Sequence, residues 1–204
     1  KKDKKIIADE KSISSDINKL PKNLVITIAR EYGSGGRYVG KLLAEKLNIK
    51  FYDKEIIRLA SKESGLNKDY IENNDQIKNS FNMYYNNDDE IFIAEKKVIN
   101  KIAKEPCVII GRCADYILKD RNDVYKIFLY SSLDDKIKRC TKYYGLTKKE
   151  AIKTINKVDK ARSKYYEYYT NQKWKEFSNY DLIINTDKLG ILGTVNAIEK
   201  AINN

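Results

Sequence analysis

The segment from Arg30 to Tyr38, REYGSGGRY, is where the residue types point most directly to chemistry. It follows the apolar run Leu24 to Ala29, which is typical of a buried parallel strand, and precedes apolar residues at helical spacing. Glycines let successive backbone N–H groups turn inward, and the start of a helix adds partial positive charge. The segment therefore predicts a phosphate-binding loop formed by Gly33, Ser34, Gly35, Gly36, Arg37 and Tyr38.

The arginines are the second group of candidate residues. Seven of the 40 basic residues are Arg, so Lys carries most of the positive charge. A guanidinium group can bind a phosphate through two parallel hydrogen bonds, which an ammonium group cannot do. We therefore expect some of the seven arginines to bind phosphate and others to be ordinary surface residues, and we interpret Arg121, in a polar loop, as one of the latter.

The composition excludes several kinds of site. The chain has no histidine, which excludes an imidazole base and a His-ligated metal. Its three cysteines lack the spacing of a zinc site or a disulfide framework, and they suit a reducing cytoplasm. No apolar run is long enough to cross a bilayer. We expect a cytoplasmic protein without a membrane partner.

Positive charge is concentrated in one stretch of the chain. The net charge is +11, and residues 136–175 hold thirteen Lys and Arg against three acidic residues. Such an excess indicates a solvated helix face, a surface for nucleic acid, or a segment that closes over a bound polyanion.

Five short apolar segments predict the strands that position these residues, and patterns at helical spacing lie between them. Strands alternating with helices predict an α/β fold of three layers, with a parallel sheet covered on both faces and ligands at the carboxyl ends of its strands. Ser132 with Asp135, and Thr147 with Glu150, predict N-terminal capping boxes. The predicted strands are 24–29, 49–52, 107–110, 124–129 and 180–185.

Two stretches fall outside this alternation. Residues 1–22 are polar and basic, and we interpret them as a flexible arm. Residues 53–105 exceed the length of one crossover helix, so we expect a helical insertion there.

Six segments in this order resemble a known family. They are TIAREYGSGGRYVGKLLAEKL, FYDKEIIRLA, VIIGRCADYIL, KIFLYSSLDDKIKRC, DKARSKYYEYYT and YDLIINTDKLG. Together they resemble the cytidylate kinase-like branch of the P-loop nucleoside monophosphate kinases, from about Asn23 to the C-terminus. The resemblance implies a P-loop NTPase-type fold with a five-stranded parallel sheet, a monophosphate-binding insertion at about 53–105 and a lid at about 136–175.

The loop departs from the standard pattern G-x-x-x-x-G-K-[ST]. Arg30 stands at the first glycine, Gly35 at the second, Gly36 at the lysine and Arg37 at the hydroxyl residue. We expect Arg37 to replace the missing lysine at the phosphates, because its reach and permanent charge suit that position. After the third predicted strand, Gly111-Arg112-Cys113 keeps the Arg of the family's G-R-D and lacks its Asp, for which Asp115 is the candidate substitute.

The resemblance implies roles for the remaining candidates. Asp53 and Arg58 correspond to the start of the monophosphate-binding helix, although their spacing is one residue shorter than in the family. Arg58 and Arg112 would hold the acceptor phosphate. The lid would contribute Arg139 and Arg162, which approach the transferring phosphoryl group, and Asp159, which orients one of them.

The expected activity is ATP-dependent phosphoryl transfer to a nucleoside monophosphate, CMP or dCMP by resemblance, with Mg²⁺ carried by the nucleotide and no protein ligand assigned to it. The altered loop leaves a non-catalytic nucleotide-binding protein open as an alternative. The basic stretch leaves open a nucleic-acid-binding module, although nucleic acid is not the partner we expect.

Overall fold

The computed structural model describes residues 23–65 and 87–203. The predicted arm, 1–22, and the middle of the predicted insertion, 66–86, lie outside the described residues. In chain order the elements are β1 (Val25–Arg30), α1 (Gly36–Leu47), β2 (Lys50–Tyr52), α2 (Glu55–Ser64), α3 (Asn87–Ile102), β3 (Cys107–Ile110), α4 (Ala114–Ile117), β4 (Val124–Tyr130), α5 (Leu133–Tyr144), α6 (Lys148–Thr170), a 3₁₀ turn (Phe177–Asn179), β5 (Leu182–Asn185) and α7 (Thr186–Ile202).

The five strands form one parallel sheet in the order β2-β3-β1-β4-β5. Strand β1 is central and pairs with β3 from Val25 to Ile28 and with β4 from Val25 to Arg30. The chain therefore leaves the middle of the sheet at Arg30, which still pairs with Leu129 of β4 after the pairing with β3 has ended at Ile28.

Alternate residues of β1 lie on opposite faces of the sheet, as the pleat requires. Val25 packs with α2, α3 and α4, whereas Ile26 and Ile28 pack with α1 and α7. All three are fully buried. The predicted architecture, a three-layer α/β fold with a five-stranded parallel sheet, is confirmed.

The structure corrects the start of the last strand. The sequence predicts it from Tyr180, but β5 begins at Leu182. Tyr180 instead turns its side chain into a cluster with Phe128 and Trp174, where its hydroxyl donates to the Trp174 carbonyl at 2.6 Å. That hydrogen bond compensates for burying a phenol.

The two predicted helix caps differ in the structure. Thr147 and Glu150 form both halves of a capping box at the start of α6. At the start of α5 the Ser132 hydroxyl accepts from the Asp135 N–H, while the Asp135 carboxylate accepts from Ser131 and Arg139. The reciprocal hydrogen bond predicted for Asp135 is thus exchanged for contacts with other side chains.

The basic stretch 136–175 consists mainly of α5 and α6. The two helices pack through Ile137, Cys140, Ala151 and Ile155. The end of α6 packs against the sheet through Tyr166. The end of α6 therefore packs on the core of the protein, and α5 and α6 pack on each other through a separate small apolar cluster.

Helix α1 packs unusually close to the sheet at Gly40. A Cβ atom there would lie 2.5 Å from Cδ1 of Ile110 and 3.2 Å from the Phe51 ring. Gly40→Ala should therefore lower the free energy of unfolding by about 1–3 kcal/mol through overpacking. Urea unfolding checks this, with Glu45→Ala on the exposed side of the same helix as the control. Equal stability of the two variants would show that the interface adapts without cost.

Candidate active site

The predicted phosphate loop connects the end of β1 to the start of α1. Gly33 and Gly35 have φ values of 79° and 81°, a conformation that favours glycine. Gly35 is the N-cap of α1 and provides no side-chain cap, so the first backbone N–H groups of the helix have no hydrogen bond from that source. At Gly36 a Cβ atom would lie 2.7 Å from the Cβ of Arg30. The loop is thus a tight turn that ends in an uncapped helix N-terminus, which attracts anions.

Ser34 shapes this loop from inside. Its hydroxyl donates to the Glu31 carbonyl at 2.8 Å, and its own carbonyl accepts from the Thr186 hydroxyl at 2.7 Å. The residue is fully buried. The structure therefore places Ser34 beneath the loop rather than on its open side.

A cleft of about 320 Å³ opens beside the loop, at the carboxyl ends of β1, β2 and β3. Eight residues that the sequence singles out line it: Gly33, Gly35, Gly36, Arg37, Tyr38, Asp53, Arg112 and Arg162. The sequence did not single out the other five as site residues: Arg30, Glu31, Tyr32, Lys54 and Tyr144.

Arg37 and Asp53 meet across the mouth of the cleft. The Nε atom of Arg37 lies 2.6 Å from Oδ2 of Asp53, and the Arg37 side chain is 65% exposed. The pair joins the first turn of α1 to the segment before α2. Arg37 is therefore held by a carboxylate at the edge of the cleft, in contact with solvent.

Arg112 enters the cleft from the end of β3. Its guanidinium pairs with the buried Glu95 at 2.5 Å, and Glu95 also accepts from the Tyr165 hydroxyl at 3.2 Å. Arg112 has a φ of 61°, which the surrounding contacts must hold in place because a non-glycine residue rarely adopts it. This side chain is buried, paired and aimed from a rigid strand end.

Asp115 lies behind Arg112 and not in the main cleft. Both residues line a cavity of about 20 Å³, which is room for about one water molecule. Asp115 is buried and accepts from the Tyr166 hydroxyl at 2.7 Å. Burial raises the pKa of Asp115 to about 6, although the hydrogen bond from Tyr166 opposes that rise.

Asp159 and Arg162 of α6 hold the loop backbone. The Tyr32 N–H donates to Asp159 at 2.7 Å, and Arg162 donates to the Arg30 carbonyl at 3.0 Å. The two side chains lie 3.9 Å apart and are mostly buried, so they are not a surface ion pair. Burial raises the pKa of Asp159, against the hydrogen bond from Tyr32 and the charges of Arg162 and Lys136.

Two predicted arginines lie outside the cleft. Arg139 pairs with Asp135 at 2.9 Å, yet its Cζ would lie 3.3 Å from a Cβ atom at Gly35, so it borders the loop. Arg58 is exposed and pairs with Glu55, one turn away on α2. Arg139 is therefore beside the site, whereas Arg58 is engaged on the surface of its own helix.

A buried cluster of charges beneath the loop went unrecognised in the sequence. Glu31, 7% exposed, accepts from Lys136 at 2.9 Å and from Lys175. Burial alone would raise the pKa of Glu31, but the hydrogen bonds from Lys175 and Lys136 outweigh it and lower that pKa. The available signal in the sequence was an acidic residue within a predicted phosphate-binding segment.

Metal-binding clusters and membrane-spanning helices are both absent from the described residues. Within residues 23–65 and 87–203, no three His, Cys, Asp or Glu side chains are grouped closely enough to hold a metal ion. In the same part of the chain no helix is both long and apolar enough to cross a membrane.

The sequence is similar to known proteins over most of its length. The sequence profile of the cytidylate kinase-like family matches residues 25–188. A cytidylate kinase of Methanocaldococcus jannaschii is 27% identical over 190 residues, covering 89% of this chain and 98% of the relative. A cytidylate kinase of Thermococcus kodakarensis is 30% identical, covering 90% of this chain and 91% of the relative.

Solved structures give the same fold. An uncharacterized protein from Eubacterium ventriosum superposes with a TM-score of 0.72 at 32% identity, covering 89% of this chain and 99% of its own. A shikimate kinase from Bacteroides thetaiotaomicron has a TM-score of 0.56 at 16% identity, with coverage of 89% and 99%. At that identity the second similarity shows the fold alone.

The buried Asp115 makes stability depend on pH. Its pKa is about 6 in the folded protein against 3.8 when exposed, so the folded state holds the proton more tightly between these values. Stability contributed by this group is therefore lost as pH rises from about 4 to about 6. Asp115→Asn, which keeps an oxygen acceptor for Tyr166, should gain about 1–3 kcal/mol over the wild type at pH 7 and little at pH 4.

Urea unfolding across this pH range measures the difference. Exposed Asp120→Asn is the control, and its difference from the wild type should stay constant. A pH-independent difference for Asp115→Asn would mean that Asp115 is ionised in the folded protein throughout.

Proposed function

The chain belongs to the cytidylate kinase-like family, and from this premise we propose that it transfers a phosphoryl group from ATP to a nucleoside monophosphate, CMP or dCMP. Its cytidylate kinase relatives support nucleotide kinase activity in general. The acceptor is the finer part of the proposal, since these relatives are 27% and 30% identical to the chain.

The cleft at the carboxyl end of the sheet is the observation that carries the proposal. The uncapped start of α1 lies on one side, and the guanidinium groups of Arg37, Arg112 and Arg162 lie around it. Phosphoryl transfer requires little covalent chemistry from the protein, because alignment and charge neutralisation supply most of the catalysis. A helix N-terminus and these three guanidinium groups, with Arg30 and Lys54 also in the lining, fit that requirement.

The donor phosphates fit the glycine loop. Cβ atoms at Gly35 and Gly36 would come within 3 Å of neighbouring side chains, so the loop has its tight shape only with glycine. Its backbone N–H groups at the start of α1 would hold the phosphates, and Arg37 and Arg139 would neutralise them. Mg²⁺, carried by the bound nucleotide, would help to neutralise the phosphate charge. With no carboxylate cluster among the described residues, we assign the ion to the nucleotide.

The acceptor phosphate belongs at Arg112. Glu95 and the end of β3 fix this guanidinium, which lines the cleft together with Asp53. Asp115 would read the acceptor base, but the cavity beside it has room for about one water. A base therefore reaches Asp115 only if residues around this cavity move, among them Tyr165 and Tyr166 of α6, and this fits the lid that we propose for residues 136–175.

Arg37 is the residue on which the altered loop depends. It leaves Asp53 and turns to the phosphates in this proposal, so Arg37→Ala should lower kcat/KM by roughly 10² or more without unfolding the protein. Steady-state kinetics and thermal unfolding measure both quantities. Lys41→Ala, on the exposed surface of the same helix, is the matched control. Wild-type kinetics in Arg37→Ala would show that Arg37 only pairs with Asp53 at the surface.

A coupled assay of ADP release tests the activity itself. With ATP and Mg²⁺, turnover should depend on an added monophosphate and exceed ATP hydrolysis without one, because a closed site excludes water. CMP and dCMP should give the highest kcat/KM in a panel of all the monophosphates.

Two other outcomes identify the alternatives. Nucleotide binding without acceptor-dependent turnover would favour a non-catalytic nucleotide-binding protein. This is the stronger of the two alternatives, because Arg37 is already paired with Asp53. Steeply salt-dependent binding of oligonucleotides, with no effect of mononucleotides, would instead indicate a nucleic-acid-binding module.

A further inference from the structure

Glu31 is an acidic side chain in the wall of a cleft that is otherwise suited to anions. It is the first residue after β1 and lines the cleft beside Gly33 and Gly35. By Coulomb's law its charge opposes the binding of a phosphate nearby. Its contacts must therefore be considered before its effect on binding is assigned.

The charged contacts of Glu31 come from two parts of the basic stretch. Lys136 of α5 donates to Glu31 at 2.9 Å, and Lys175, which follows α6, donates to the other carboxylate oxygen. Lys136 also lies 3.5 Å from Asp159 of α6. Asp159 in turn accepts from the Tyr32 N–H at 2.7 Å. One continuous network thus joins Glu31 and the loop backbone to both helices.

Helix α5 also packs directly beneath the loop. A Cβ atom at Gly33 would lie 3.2 Å from both the Cβ and the carbonyl oxygen of Lys136. Little space remains there for the loop to shift as long as Lys136 keeps its position. Glu31 and Asp159 both contact the Lys136 ammonium and so hold this lysine in place. Lys136 in turn supports the loop at Gly33.

We propose that Glu31 is a positioning residue: its carboxylate, with Lys175 as its second cationic partner, holds Lys136 against the phosphate loop and so keeps the loop in its anion-binding shape. The inference rests on the proposed function, because it takes the loop as the site of the donor phosphates. The negative charge of Glu31 by itself disfavours an anionic ligand. Its net effect on binding is favourable, because the lysines that it holds keep the loop in place.

The sign of the effect on anion binding separates this proposal from a simple charge effect. Removing a negative charge from the cleft, as in Glu31→Gln, should tighten anion binding if charge alone matters. Loss of positioning should weaken it, by roughly tenfold or more given the cost of leaving buried charges without a partner. Inorganic tripolyphosphate is the probe, and isothermal titration calorimetry measures its dissociation constant without any turnover.

Glu31→Asp gives a second, independent reading. It keeps the charge and shortens the side chain by one methylene, so the carboxylate can no longer reach both lysines. If only charge matters, the affinity of Glu31→Asp for tripolyphosphate should be unchanged. If Glu31 positions the lysines, that affinity should fall by about threefold or more. Hydrogen exchange in residues 30–36 of the free protein should also be faster in both variants, since the loop loses its support.

Glu105→Gln is the matched control, because Glu105 is an exposed carboxylate paired with Lys50 outside the cleft. It should leave both measurements unchanged. Thermal unfolding confirms that each variant is folded, and Glu31→Asp carries the test if Glu31→Gln does not fold. Lys175→Met should weaken binding in the wild type and have little further effect in Glu31→Gln, since Lys175 then has no carboxylate to hold it.

The outcomes distinguish the two proposals. A wild type that binds tripolyphosphate tightly but turns over no monophosphate contradicts the proposed function and leaves the role of Glu31 intact if Glu31→Gln weakens binding. Equal or tighter binding by Glu31→Gln, together with unchanged affinity of Glu31→Asp, overturns the role of Glu31 alone.

Discussion

Hydrogen bonding on both sides of β1 is the constraint on which the site depends. The strand pairs with β3 and with β4, so Arg30 emerges from the middle of the sheet at a fixed point. From there the chain makes a turn of five residues and enters α1, which packs closely on the same strands through Gly40. A phosphate loop needs such an origin, because its backbone N–H groups must converge before the ligand arrives.

Charge neutralisation governs the rest of the cleft. Buried arginine and lysine side chains would be costly without partners. Glu95 pairs with Arg112, Asp159 lies near Arg162, and Glu31 holds two lysines. These carboxylates reduce the free-energy cost of burying the cations, and they also orient the cationic side chains. The stability of the site and its shape therefore depend on the same ion pairs. The basic stretch is thus closely paired where it meets the loop.

The altered loop illustrates how one site can be built with different residues. A standard phosphate loop supplies its cation from the first turn of the helix. Here that turn contributes Arg37, which lies at the surface with Asp53, while an ammonium group is buried under the loop on α5 at Lys136. Positive charge therefore lies on two sides of the loop, with Arg37 at the surface and Lys136 beneath it. Glu31 and Asp159 determine the position of the Lys136 ammonium.

Residue pattern alone determined the architecture and the location of the site. Short apolar runs, a glycine cluster after the first of them and capping residues are local signals, because strand burial, turns and helix starts each depend on neighbouring residues. They predicted the parallel sheet, the loop at residues 33–38 and the capping box of Thr147 and Glu150. The family resemblance, supported by the scarcity of Arg, singled out Arg37, Arg112 and Arg162, which line the cleft in the structure.

Pairing between side chains distant in sequence was decided by the tertiary structure. Glu31 lies 105 residues from Lys136 and 144 from Lys175, and no local pattern relates them. The same holds for Asp115, which packs behind Arg112 and accepts from the hydroxyl of Tyr166, 51 residues away. Arg58, in contrast, pairs with its neighbour Glu55 on the same helix and does not enter the cleft. Periodicity specifies which face of an element is buried, but the partner of a buried charge is set by whichever element packs there.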